Sequence, residues 1–367
     1  MASFLSNIGR SATRFGPIGL EISLEYVHLV QLQMSSAGVA LRACASEPMN
    51  ASFEDLLQEP KQLKEVIKSA YGRQDFKGRQ VVTSMPSTMT RVLSVNYELS
   101  NGQNDSQAIT KLLLDRIGDD LADFVVDFMP INQEQRVTDR AALIAMCRKD
   151  SVNAYLETLN ACKLEPIALE IGPVAIKRLV DSLQSHSPMS TSLVVNCGRE
   201  KSYLTLISKR QLLSDDEVNF GERTVVQRIC SALDVTSDLA HKLLAEVDLG
   251  ADKPDENTRT LIEIIRPELN ELIRDIERGM VYATNESRGQ DDTTIFLIGS
   301  IARWTGADRL ISNILKHPVK TIPDPLLPFM STQAQEVEVE KNEIEGGAGR
   351  PELAVATGLA LRDIEHG

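Results

Sequence analysis

One arrangement of elements occurs twice in this chain, and it constrains the fold more than any single motif. Ile18–Ser23, Tyr26–Gln33 and Val39–Ala45 read as three strands. Leu56–Tyr71 then carries Leu56, Leu63, Val66 and Ile67 at helical spacing, and Gln80–Met85 returns to a strand ending at Pro86. In the second half, Ser192–Cys197, Tyr203–Ser208 and Gln211–Val218 are again three strands, Arg223–Leu233 a helix and Thr294–Ile298 a later strand. A strand-strand-strand-helix-strand unit used twice predicts two related α/β lobes rather than one continuous sheet. Two such lobes facing each other enclose a cleft, a usual place for a ligand. A length of 367 residues suits two cores of ordinary domain size.

Between the repeats lies a segment of different character. Arg91–Tyr97, Phe124–Met129 and Ala141–Met146 are strand-like, Ala108–Leu121 is helical, and Ser151–Cys162 places Val152, Tyr155, Leu156 and Leu159 on one helix face, with Asp150 or Ser151 as N-cap. This predicts a small inserted subdomain over 91–163. The first lobe is then 18–90, continued by 164–190 and a closing helix over 351–365, and the second is 191–332 with a helical part over 234–290. Pro267 reads as the first residue of a helix whose stripe of Leu269, Leu272, Ile273, Ile276 and Met280 is core. Residues 1–17 read as an N-terminal tail, and 333–350, with five glutamates leading into glycines, as an acidic flexible linker.

Composition narrows the function classes. A net charge of −13 argues against broad nucleic-acid binding, which needs concentrated Lys and Arg. Five scattered cysteines with no CxxC fit neither a disulfide framework nor a zinc site and read as buried free thiols in a reducing cytoplasm. No run approaches the roughly 18 apolar residues of a membrane span. The five histidines stand apart from HExxH or triad patterns, and His28, in a strand, reads as packed rather than as a base. Solvated faces account for the carboxylates Glu21, Asp115, Asp119, Asp120 and Asp127, and packing for the single tryptophan, Trp304.

Several segments, in order along the chain, resemble the PilM family of actin-like pilus assembly proteins. They are Ile18-Gly19-Leu20-Glu21-Ile22-Ser23 with the strand after it, Val81–Val95, Ala141–Glu170, Leu193–Ile207, Ile295–Ile311 and Ala354–Arg362. The resemblance implies an actin-like α/β fold of duplicated RNase H-like lobes with a small inserted α/β subdomain. It also implies a nucleotide site in which two hairpins cradle phosphates and acidic residues hold Mg²⁺ through water. The positions that match this site are Gly19, Glu21 and Ser23 on the first hairpin, Asn196, Gly198 and Ser202 on the second, and Gly299 and Ser300 at the adenosine turn. Several depart from the family pattern: Glu21 and Asn196 stand for aspartates, Ser23 and Ser300 for glycines, and the family's Glu and Lys are not evident near Ala240-His241-Lys242. The expectation is a pseudo-ATPase, with ATP and magnesium bound weakly or not at all and no catalytic residue. The alternative is an active nucleotide-dependent ATPase or a filament-forming protein on the same fold.

The resemblance further implies a cytoplasmic adaptor at the inner face of the bacterial inner membrane. Its partner is the N-terminal cytoplasmic tail of a single-span, PilN-like membrane protein, captured between the first lobe and the inserted subdomain, in a type IV pilus or a related secretion machine. The residues expected to line that groove are Val92, Leu93, Val95, Phe124, Val126, Phe128 and Tyr155.

Overall fold

The computed structural model describes residues 13–23, 26–36, 38–100, 102–131, 139–183, 190–286, 293–330, 350–362 and 364. The first lobe starts with strands β1 (Arg14–Ile22), β2 (Tyr26–Ser35) and β3 (Gly38–Pro48), helices α1 (Phe53–Gln58) and α2 (Pro60–Gly72), and β4 (Gln80–Met85). The small sheet follows, with β5 (Thr90–Glu98), α3 (Asp105–Ile117), β6 (Phe124–Ile131) and β7 (Asp139–Arg148). Then come α4 (Lys149–Ala161), β8 (Glu165–Ile171) and α5 (Gly172–Leu183). The second lobe holds β9 (Thr191–Cys197), β10 (Ser202–Ser208), β11 (Gln211–Val218), α6 (Glu222–Leu233), α7 (Ser237–Glu246), α8 (Glu256–Glu286), β12 (Thr293–Gly299), α9 (Ala307–Leu315) and β13 (Val319–Thr321). Helix α10 (Ala354–Ala360) returns to the first lobe.

The duplication appears in the sheets. Strand order is β3-β2-β1-β4-β8 in one and β11-β10-β9-β12-β13 in the other, with the same antiparallel and parallel pairings at matching positions. Each sheet has a fifth strand, β8 or β13, that periodicity alone did not reveal. Strand β1 begins at Arg14, so residues 14–17 belong to the sheet rather than to a tail; its register shifts between Phe15 and Ile18, where Pro17 has no N–H to give the ladder.

Side chains alternate across β1. Ile18, Leu20 and Ile22 face the core beneath α1, α2 and α4, while Gly19 and Glu21 face α10. Helix α4, expected within the inserted subdomain, buries Val152, Tyr155 and Leu159 in that first-lobe core. Tyr155 is wholly enclosed, its hydroxyl 2.5 Å from Thr83 Oγ1, which donates to the Leu20 carbonyl at 2.7 Å. The expected N-cap at Asp150 or Ser151 gives way to Arg148, which makes no side-chain cap bond.

The predicted helix over 56–71 is two helices. Pro60 holds its predecessor Glu59 outside the helical region (φ −118°, ψ 65°), and α2 restarts at the proline. The reverse holds at Pro267, which lies inside α8 instead of opening it. That helix starts upstream, where the Asp255 carboxylate accepts the Thr258 N–H at 2.8 Å. Its stripe from Leu269 to Met280 is buried, as the spacing requires.

Helices α5 and α10 form the seam between the lobes. Their apolar residues join Val30, Leu32 and Val82 of the first sheet to the second-lobe core. The small sheet, ordered β5-β7-β6, packs one face on α3 through Val95, Tyr97, Ile109 and Leu113. Ser94 Oγ donates to the Leu213 carbonyl of β11 at 2.8 Å and ties this sheet to the second lobe.

Candidate functional site

Two concave regions compete for the role: the cleft between the hairpins and a groove between the first lobe and the small sheet. In the cleft, the residues that match a phosphate cradle are engaged by the chain itself. Ser23 Oγ donates to the Tyr26 carbonyl at 3.0 Å and accepts the Tyr26 N–H at 3.1 Å, closing its own turn. Ser202 is buried with its hydroxyl on the Phe220 carbonyl at 2.8 Å, and Ser300 Oγ donates to the Cys197 carbonyl at 3.3 Å. Gly198 closes the β9–β10 turn with its N–H 3.1 Å from the Lys201 carbonyl. Gly299, at φ +72°, packs against the Cys197 carbonyl and against half-buried Asn196. Gly19 has a steric reason to be glycine that involves no ligand. It lies under α10, and a Cβ there would fall 2.1 Å from the Ala356 carbonyl oxygen.

Glu21 corrects the solvated-face reading. Part of its stem stays accessible, but its carboxyl is enclosed, and Oε2 is buried without a hydrogen-bond partner among the described residues. Burial pushes its pKa up to about 8; the Ala356 N–H opposes the rise and the nearby Glu352 charge adds to it. The group is therefore mainly protonated at neutral pH. Asn196 has no charge to replace it. Arg303, just after β12, pairs with Glu352, just before α10, at 2.5 Å across the lobes. His28 is buried with Nδ1 2.8 Å from Ser46 Oγ, its pKa pushed down to about 4 by burial and by Arg303. Glu222, which the sequence did not single out, accepts from Trp304 Nε1 at 3.4 Å with His241 Nδ1 at 3.7 Å.

The groove is different in kind. It encloses about 640 Å³ between β6 and β7 of the small sheet, β8 at the edge of the first sheet, and α5. Val125, Met129 and Ile167, exposed at 42%, 37% and 43%, all open into it, so three of the protein's large exposed apolar side chains converge on one hollow. Its polar end is built. Glu170, nearly buried, is held by Arg178 at 3.0 and 3.1 Å and also by Arg362; Arg178 donates further to the Gly358 carbonyl of α10 at 2.7 Å. Asp127 stands on the β6 side.

The groove residues expected from the sequence are mostly on the wrong face. Phe124, Val126 and Phe128 pack toward α3, and only Phe128 also reaches the groove; the groove face of β6 carries Val125, Asp127 and Met129. The error is one residue of strand parity. Val95 is buried under α3 and Tyr155 lies in the first-lobe core, so neither is available to a partner. Val92 packs toward the second lobe, and Leu93 is exposed away from the groove lining. Residues 1–12 of the expected tail and nearly all of the expected acidic linker over 333–350 lie outside the described residues. Among the described residues no helix is long and apolar enough to cross a membrane.

The family model for type IV pilus assembly protein PilM matches residues 19–364. Among solved structures, the chain is similar to the PilM-PilN type IV pilus biogenesis complex at 22% identity and a TM-score of 0.70, over 95% of this chain and 98% of that one. It is also similar to the ethanolamine utilization protein EutJ from Carboxydothermus hydrogenoformans, at 14% identity and a TM-score of 0.52, over 95% and 89% of the two chains.

Proposed function

This chain belongs to the PilM family of type IV pilus assembly proteins, with the actin-like fold, and from that premise we propose that it works as a binding adaptor and not as an ATPase. Its occupant is the cytoplasmic N-terminal tail of a single-span, PilN-like inner-membrane protein, held in the groove between the first lobe and the small sheet. The adaptor thereby sits at the inner face of that membrane. The observation that carries this reading is the convergence of exposed Val125, Met129 and Ile167 on one hollow with a built polar end. Apolar side chains kept accessible at one place mark a surface that a partner covers. The likeness to a chain solved in a PilM-PilN complex supports the choice of occupant.

The pseudo-ATPase half of the proposal rests on the engaged hydroxyls of Ser23, Ser202 and Ser300 and on the protonated Glu21. Losing one charge-assisted contact costs about 1.5–3 kcal/mol, so two such losses move a micromolar nucleotide site toward millimolar. Calorimetric titration tests both halves. A synthetic peptide of the PilN-like protein's cytoplasmic tail gives saturable binding, and Mg-ATP gives none below about 1 mM. Low-micromolar Mg-ATP binding overturns the pseudo-ATPase claim, and no peptide binding overturns the adaptor claim.

A further inference from the structure

Among the described residues, the groove is bounded by two strand edges that no other strand covers: β6 ends the small sheet and β8 ends the first sheet. The two are not equivalent. On β8, Pro166 has no N–H, the register against β4 shifts beside it, and the Glu170 side chain is locked by two arginines. On β6, the Phe128 N–H donates to the carboxylate of its own neighbour, Asp127, at 2.8 Å. A main-chain donor satisfied by the preceding side chain is one that the ladder with β7 does not use. Alternation along an antiparallel strand then places Val126 on the same outward row, which ends at Pro130. Exposed edges are commonly guarded by charges and prolines in this way.

We infer that the groove takes its partner segment as an added strand on β6, with Asp127 as a placeholder that releases the Phe128 N–H to a carbonyl of the incoming chain. The inference rests on the adaptor reading above and specifies how that site binds. An edge whose outward main-chain groups the ladder with β7 does not use, beside apolar wells, matches an extended segment: its backbone completes the ladder and its alternate side chains fill the hollow around Val125 and Met129. A helical segment would satisfy its own backbone and leave the edge unused.

The test is amide hydrogen exchange on the full chain, with and without saturating synthetic tail peptide. Exchange at Phe128 and Val126 slows at least about tenfold on binding, and the β8 amides are unchanged. Peptides N-methylated at successive positions lose about tenfold in affinity at alternate positions only. Asp127→Ala speeds Phe128 exchange in the free protein and leaves affinity equal or raised. If the peptide binds but Phe128 exchange is unchanged, or protection falls on β8, strand addition to β6 is wrong while the adaptor reading stands. Lower affinity in Asp127→Ala overturns the placeholder role. Absence of peptide binding removes the adaptor reading and this inference together.

Discussion

The carbonyl oxygen of Ala356 lies where the β-carbon of residue 19 would be, 2.1 Å from its ideal position, and the Ala360 nitrogen is 2.6 Å from the same point. These contacts are with helix backbone, which cannot turn aside as a side chain can. Gly19→Ala therefore forces α10 off the first sheet. The expected loss is about 3 kcal/mol or more, seen as a lower Tm and a lower denaturant midpoint. A shift under about 0.5 kcal/mol contradicts this packing.

Glu21 gives the protein a pH dependence of defined sign. Its pKa is about 8 when folded against an ordinary 4.5, so between these values the folded state holds a proton that the unfolded state has lost. Stability is full below 4.5 and falls as pH rises toward 8. Glu21→Gln removes this slope. From pH 6.5 to 7.5 the parent loses about 1.2 kcal/mol relative to the variant, measured by urea unfolding at each pH. Parallel curves refute the enclosed, protonated carboxyl. His28 acts the opposite way, contributing stability that is lost as pH falls from 6.5 toward 4. Asp215, whose pKa burial pushes up to about 7, shares the window above 6.5, so the difference between parent and Glu21→Gln, rather than the parent curve alone, reports Glu21.

Met129→Glu and Ile167→Glu place charge in the groove from positions already open to solvent. Each weakens tail-peptide binding by at least about tenfold, or about 1.4 kcal/mol, in calorimetry. Their Tm values stay within about 2 °C of the parent because no core contact is lost. Unchanged affinity in both variants argues against the groove.

Arg178→Ala leaves the Glu170 carboxylate, nearly buried, with Arg362 alone. Breaking a buried pair from one side costs about 3–5 kcal/mol, and adding Glu170→Gln restores part of it by removing the stranded charge. Double-mutant unfolding data that are strictly additive contradict this coupling.

Much of the fold was legible because strand and helix periods report burial, and both lobes bury one sheet between helices. Strands β4 and β11 match their sequence boundaries residue for residue. Where the reading failed, a local signal competed with a tertiary one. Pro267 looks like a helix start, yet the Asp255 cap and the packing of Leu261 and Ile265 carry α8 through it. In β6, Phe124, Val126 and Phe128 form the more apolar set, which by type alone reads as a binding face. The core claims the greasier face of a two-sided strand, which leaves the mixed Val125-Asp127-Met129 face open to the groove. Glu21 looked exposed by type; only the fold of a distant helix over β1 encloses its carboxyl.

That distant helix has a consequence for how the protein is made. The slot that Gly19 leaves in β1 is filled by α10, which the ribosome delivers an entire lobe later. During synthesis the first sheet emerges with one face uncovered and waits, its apolar Val30, Leu32 and Val82 accessible, until the second lobe has been translated. Nascent chains held short of residue 354 should therefore be the forms that chaperones retain, and release should follow the arrival of α10 rather than completion of either sheet.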